Sequence, residues 1–121
     1  MQTVIKTIVA ECGEIYGISN GSRISLGECS PTLELIADEQ PIGISGLHKT
    51  YRFTIVFCNK VNTRHIERYS NFELSVTILR QDGKYEVIHI YDPVLIEIDD
   101  LFDRWTFEIT DKELIRKVYR M

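Results

Sequence analysis

From Ser70 to Ile98, apolar and polar residues alternate with breaks only at Asp82-Gly83 and Asp92-Pro93. A period of two sends every second side chain to the same side of a pleated strand, so a stretch like this pairs with neighbours and buries one face. A helix, with its period of 3.6, would scatter the same apolar groups around its circumference. The pattern therefore predicts a hairpin with one buried face, and a strand-rich chain around it.

The rest of the chain reads the same way. Thr3 to Val9 is an opening strand rich in β-branched residues. Glu14 to Ser19 and Ser22 to Gly27 flank Asn20-Gly21, the dipeptide best suited to the two positive φ angles of a type I′ turn. That turn predicts Ile15 opposite Leu26, Gly17 opposite Ile24, and Tyr16 and Ile18 opposite Ser25 and Arg23. Pro31 to Ala37 reads as a strand closed by Asp38-Glu39-Gln40-Pro41, with Gly43 and Gly46 loosening the next stretch. Thr50 to Cys58 alternates Tyr51, Phe53, Ile55 and Phe57 against Arg52, Thr54, Val56 and Cys58. Asn59 to Ser70 has no firm period and reads as a loop.

Asn71 to Leu79 and Lys84 to Tyr91 form the next hairpin, with two possible registers. A type I′ turn sets Val76 opposite His89. A type I turn with Gly83 in a left-handed bulge sets Val76 opposite Ile88 and Leu74 opposite Ile90. The second gives the more continuous apolar face and is preferred. Val94 to Ile98 and Trp105 to Ile109 are two more short strands. Thr110 and Glu113 have the spacing of a capping box, which predicts a short C-terminal helix buried through Leu114, Ile115 and Val118.

Length and charge narrow the function classes. At 121 residues the chain is read as a single domain, 1–121, able to bury a core without a metal or disulfide staple. A net charge of −4 argues against a nucleic-acid role, which needs a concentrated basic surface. No apolar run is long enough to cross a membrane as a helix, and Met1 to Ala10, interrupted by Lys6, reads as a strand rather than a signal peptide. The three cysteines, Cys12, Cys29 and Cys58, are odd in number and widely spaced, which fits reduced thiols of a cytoplasmic protein, though a Cys12–Cys29 pair stays open.

No constellation of reactive residues stands out. His48, His65 and His89 fall in three segments without the close ligand pairs of a zinc site, so no metal or other cofactor is expected. Cys58 beside Phe57 reads as a structural thiol, although a strand-to-strand approach of His89 would give it a base. Glu97, Asp99, Asp100 and Asp103 lack the ladder of a calcium loop and read as solvated turn charges. Lys60, Arg64, His65 and Arg68, with Lys49 and Arg52 nearby, make a basic stretch that reads as a solvated loop in an acidic chain. Trp105 and Phe107 admit two readings, as an interface on a peripheral strand or as a lid over the core.

The fold expected from these elements is mostly β: an antiparallel sandwich or partly open barrel of about eight short strands, with one short C-terminal helix. The function expected is non-enzymatic. The chain would be a structural or protein-interaction module that self-associates, or docks on a partner, through sheet edges and an aromatic face. Trp105, Phe107, Arg52 and Tyr51 are its expected interface residues. In general outline the chain resembles the small β-rich structural proteins of prophage tails and similar particles, a likeness that implies ring or tube assembly. A small-ligand or carbohydrate-binding β-domain is the other reading, needing a concave pocket around Tyr91, His89 and Arg52.

Overall fold

The structure, a computed structural model, describes residues 2–44, 46–58, 69–99, 101 and 104–121, without the side chains of Cys29 and Cys58. Nine strands and one helix follow in order: β1 (Gln2–Val9), β2 (Cys12–Ser19), β3 (Ser22–Cys29), β4 (Thr32–Ile42), β5 (Gly46–Cys58), β6 (Asn71–Leu79), β7 (Tyr85–Tyr91), β8 (Val94–Asp99), β9 (Arg104–Ile109) and α1 (Lys112–Arg120). After β1 the chain is a series of four hairpins assigned alternately to two antiparallel sheets. Sheet A has the order β1-β4-β5-β9-β8 and sheet B the order β3-β2-β6-β7. The two form a β-sandwich.

Turn chemistry sets the hairpins. Asn20 and Gly21 have φ of 49° and 76°, and the register around them runs Ser19 to Ser22, Ile18 to Arg23, Gly17 to Ile24 and Tyr16 to Ser25. One pair further the expectation fails, because Ile15 faces Gly27 and not Leu26. A bulge inserts Leu26 as an extra residue, which turns its side chain into the core while Gly27 leaves room opposite Ile15. In the later hairpin Gly83 has φ of 82°, and Val76 meets Ile88 while Leu74 meets Ile90, the bulged-turn register that the apolar pattern favours.

The core lies between the sheets. Ile15, Leu74, Val76, Ile78, Ile88 and Ile90 from sheet B meet Leu33, Leu35, Phe53, Ile55, Phe57, Trp105 and Phe107 from sheet A. Phe72 of β6 is the pin between them, edge-on to Trp105 at 6.0 Å and to Phe107 at 5.8 Å between ring centroids. Two crossings are stapled by backbone bonds, Ala10 N donating to Pro31 O and Glu11 N to Thr77 O, each at 2.9 Å. At the crossing from β7 to β8, Asp92 is left-handed with φ of 52°, and the Asn71 amide donates to its carboxylate.

Helix α1 lies against β4 and β5 and buries Ile115 and Val118. Lys117 reaches Glu86 of β7, and Lys6 of β1 donates to the Tyr119 carbonyl, so the helix ties both sheets together. Its cap differs from the expected Thr110. Asp111 is the N-cap, accepting from the backbone N–H groups of Glu113 at 2.9 Å and Leu114 at 3.1 Å. A carboxylate serves both the free donors and the positive end of the helix dipole better than a hydroxyl does. Asp111→Ala is expected to cost about 1 kcal/mol of stability and Thr110→Ala only a few tenths, read by urea unfolding. The opposite ranking would return the cap to Thr110.

The largest departure from the sequence reading is in β4 and β5. Asp38-Glu39-Gln40-Pro41 does not close the strand, which runs on to Ile42, and β5 begins at Gly46 instead of Thr50. Pro41 is tolerated because it stands opposite Leu47 in a two-stranded ribbon, where a residue without an N–H can face outward.

Candidate functional site

β4 and β5 outgrow their neighbours. The last partner of β1 is Asp38, and the last of β9 is Phe53. Beyond them, among the described residues, Glu39–Lys49, Gln40–His48, Pro41–Leu47 and Ile42–Gly46 pair only with each other. Four pairs at about 3.4 Å per residue give an arm of roughly 14 Å. Gly43, at φ of 65°, makes the turn at its end. Every described residue from Gln40 to Tyr51 is exposed, and Ile44 is as open as in an extended peptide at 107 %, with Leu47 at 68 % and Ile42 at 57 %. The stalk is braced by charge: Lys49 pairs with Glu39 at 3.2 Å, while Arg52 at the base binds Asp38 at 2.9 Å and Glu108 at 3.5 Å. The Glu39 contact raises the Lys49 ammonium above its usual range.

The expected interface residues divide. Trp105 and Phe107, at 1 % and 0 % exposure, are core and not interface. β9 is not peripheral, since β8 lies outside it, and both rings point at Phe72 of the opposite sheet. Arg52 lies on the outer face of sheet A, engaged with its two carboxylates. Tyr51 is exposed beside it, on the other side of β5, at the base of the arm. The expected ligand set is not gathered either. His89 and Tyr91 share the outer side of β7 and line an open groove of about 340 Å³ with Asp111, Glu113 and Lys117, while Arg52 lies on the other sheet.

The edges are uneven. β1 has a register irregularity between Val4 and Lys6, β8 between Leu95 and Glu97, and β3 carries the Leu26 bulge. Bulged edges twist away from new strands. β7 is regular, and Lys117 of the helix reaches across to it.

The outer face of sheet B carries one polar network. Glu14 accepts from the Tyr16 phenol and from Ser25 Oγ, and the Arg23 guanidinium lies 3.8 Å from the Tyr16 ring centroid while pairing with Glu73 at 3.1 Å. The Ser25 bond first, then the Tyr16 bond, holds the Glu14 carboxyl below its ordinary range, and the same Glu14 contact raises the Tyr16 phenol. A carboxyl depressed by folding stabilises above its unfolded pKa, and that contribution is lost as pH falls through the folded value. Glu14→Gln is therefore expected to be slightly less stable than the parent at about pH 7, with the two unfolding curves converging as pH falls through the folded Glu14 value. Curves that stay equally separated in acid would contradict this.

Among the described residues no three His, Cys, Asp or Glu side chains gather at one metal-sized point, and no buried side-chain polar atom lacks a partner. Cys12 is a free, exposed thiol. His48 is on the arm and His89 on β7. Asp99 accepts from Leu101 N at 3.1 Å, a local turn. Lys60, Arg64, His65, Arg68, Asp100 and Asp103 lie outside the described residues. Among the described residues no helix is long and apolar enough to cross a membrane.

Compared with protein-family models, with curated proteins and with solved structures, the chain matches none. The apolar arm is the feature that sequence reasoning missed. Its signal was there to read: from Gln40 to Leu47 the sequence has no Asp, Glu, Lys or Arg, yet three of its residues are Ile or Leu.

Proposed function

We propose that this protein is a non-enzymatic assembly subunit that self-associates, with the β4–β5 arm as its docking element. The observation that carries the reading is the arm itself. An isolated two-stranded ribbon is marginal in water, and apolar side chains at its tip gain nothing by standing in solvent. Covering them by another molecule stabilises both the ribbon and the contact. The bulged edges of β1, β3 and β8 move the emphasis from strand addition along the sheets to the arm. A filled core supports the same reading, because the aromatic side chains that would otherwise build a ligand platform are used between the sheets.

Solution mass by sedimentation across a concentration series tests the proposal. Mass rising above that of one chain is expected. A single-chain mass at every concentration would overturn self-association.

A further inference from the structure

We infer that Asn20 is a self-modifying site: its side-chain amide is lost as ammonia to the Gly21 backbone, and the β2–β3 turn is rebuilt around an isoaspartyl link. The site takes only water and a mildly basic medium, and it stands apart from the assembly reading.

The chemistry is internal to the turn. The Gly21 backbone nitrogen gives up its proton and attacks Cγ of Asn20, forming a five-membered succinimide. The bond from Cγ to the side-chain nitrogen breaks, and that nitrogen takes a proton from the medium and leaves as ammonia. Water then opens the ring at one of its two carbonyls. One opening gives aspartate at position 20. The other gives isoaspartate, in which the main chain runs through the former side chain.

The molecule selects Asn20 for this reaction. A Cβ on the following residue obstructs the closing ring, and of the asparagines at 20, 59, 62 and 71 only Asn20 precedes a glycine. Among the described residues nothing lies within 4 Å of the point where a Gly21 side chain would begin. Asn71 stands at the start of β6 before Phe72, with its amide donating to the Asp92 carboxylate. Asp82-Gly83 has the same spacing, but its carboxylate pairs with Arg80 at 3.2 Å and accepts from Lys84 N at 3.0 Å, and an ionised carboxylate resists attack.

The ring closes only when the turn opens, because Asn20 and Gly21 are held at φ of 49° and 76° by the Ser19–Ser22 pair. Opening is a local event here. β3 is an edge strand, paired among the described residues with β2 alone, and Asn20, Gly21 and Ser22 are all exposed.

The two products differ in what they do to β3. Aspartate tolerates the left-handed conformation and leaves the turn in place. Isoaspartate adds a carbon to the main chain between the strands. β6 holds β2 on its other side, from Cys12–Thr77 to Ile18–Asn71, so β3 absorbs the added length. The pairs Ile18–Arg23 and Gly17–Ile24 loosen first, and the Arg23–Glu73 ion pair loosens with them.

Native protein aged in mildly alkaline buffer, then digested and mapped by mass spectrometry with isoaspartate detection, tests the site. Deamidation is expected to accumulate at Asn20 ahead of Asn71, to quicken as pH rises, and to be lost in Asn20→Gly, whose Gly-Gly turn suits the same hairpin. Amide hydrogen exchange of the aged protein is expected to quicken from Arg23 to Ser25 and to stay unchanged in β6 and β7, whereas Asn20→Asp exchanges like the fresh protein. Equal deamidation at Asn20 and Asn71 in the native protein would overturn the inference. Deamidation of Asn20 in the urea-unfolded chain alone would also overturn it, because the folded turn would then be protective. Isoaspartyl protein with unchanged exchange in β3 would overturn the effect on the strand.

Discussion

Trp105→Ala is expected to lower the free energy of unfolding by about 3–5 kcal/mol, with a fall in melting temperature of roughly 10–20 °C. The indole is among the largest fully buried side chains and stands in an aromatic set with Phe72 at 6.0 Å and Phe107 at 6.3 Å between centroids. Truncation removes the transfer energy of the ring and leaves a void between two sheets. Neither sheet can collapse into it without moving a register held by hydrogen bonds on both sides of β9. Urea unfolding followed by tryptophan-independent circular dichroism measures the effect. A loss under about 1 kcal/mol would mean that the residue is not in the core, and would return it to the surface role that its sequence context also allowed.

Gly13→Ala is expected to cost about 1–3 kcal/mol, more than the same change at Gly17. A Cβ at position 13 would lie 2.7 Å from Pro31 Cγ and 3.0 Å from the Phe57 ring. Pro31 is buried at the crossing into β4, with its carbonyl bonded to Ala10 N, and Phe57 is fully enclosed, so neither yields. At Gly17 the obstacle is the Tyr69 ring, 2.5 Å from the added carbon, but Tyr69 is only half-buried and can swing outward. Its ring packs on Phe72 at 6.1 Å, and this contact would be lost. The pair discriminates by rescue. In a Tyr69→Ala background, Gly17→Ala should cost little more, whereas Gly13→Ala should cost as much as it does in the parent. Equal costs at the two glycines, with no rescue, would show that backbone entropy and not close packing governs both.

The assembly proposal and these stability predictions concern different parts of the molecule. Ile44 contributes nothing to the core, whereas Trp105 and Gly13 contribute nothing to the exposed arm. A variant series can thus separate association from unfolding within one fold.

Much of the architecture was written in local chemistry. Alternation along Asn71–Leu79 and Tyr85–Tyr91 reflects a pleat with one dry side, and Asn20-Gly21 and Gly83 supply the positive φ angles that their turns need. The helix stripe of Ile115 and Val118 was legible for the same reason. Each of these depends on residues no more than a few positions apart. The bulge at Leu26 was not legible, because either Leu26 or Gly27 satisfies the turn, and only the depth of the core chooses Leu26.

Distance along the chain decided the rest. Whether Trp105 and Phe107 face solvent or Phe72 depends on β8 adding outside β9 and on the opposite sheet arriving above it, partners that no local window contains. The arm has the same origin. Pro41 and the glycines at 43 and 46 look like a break to any reader of neighbours alone. The ribbon forms because β4 and β5 keep pairing past their last described partners, Gln2 of β1 and Ile109 of β9. Side-chain alternation commits the chain to pleated, half-buried strands. The lengths of non-adjacent strands, compared only once they lie side by side, decide which apolar residues are covered and which are left facing water.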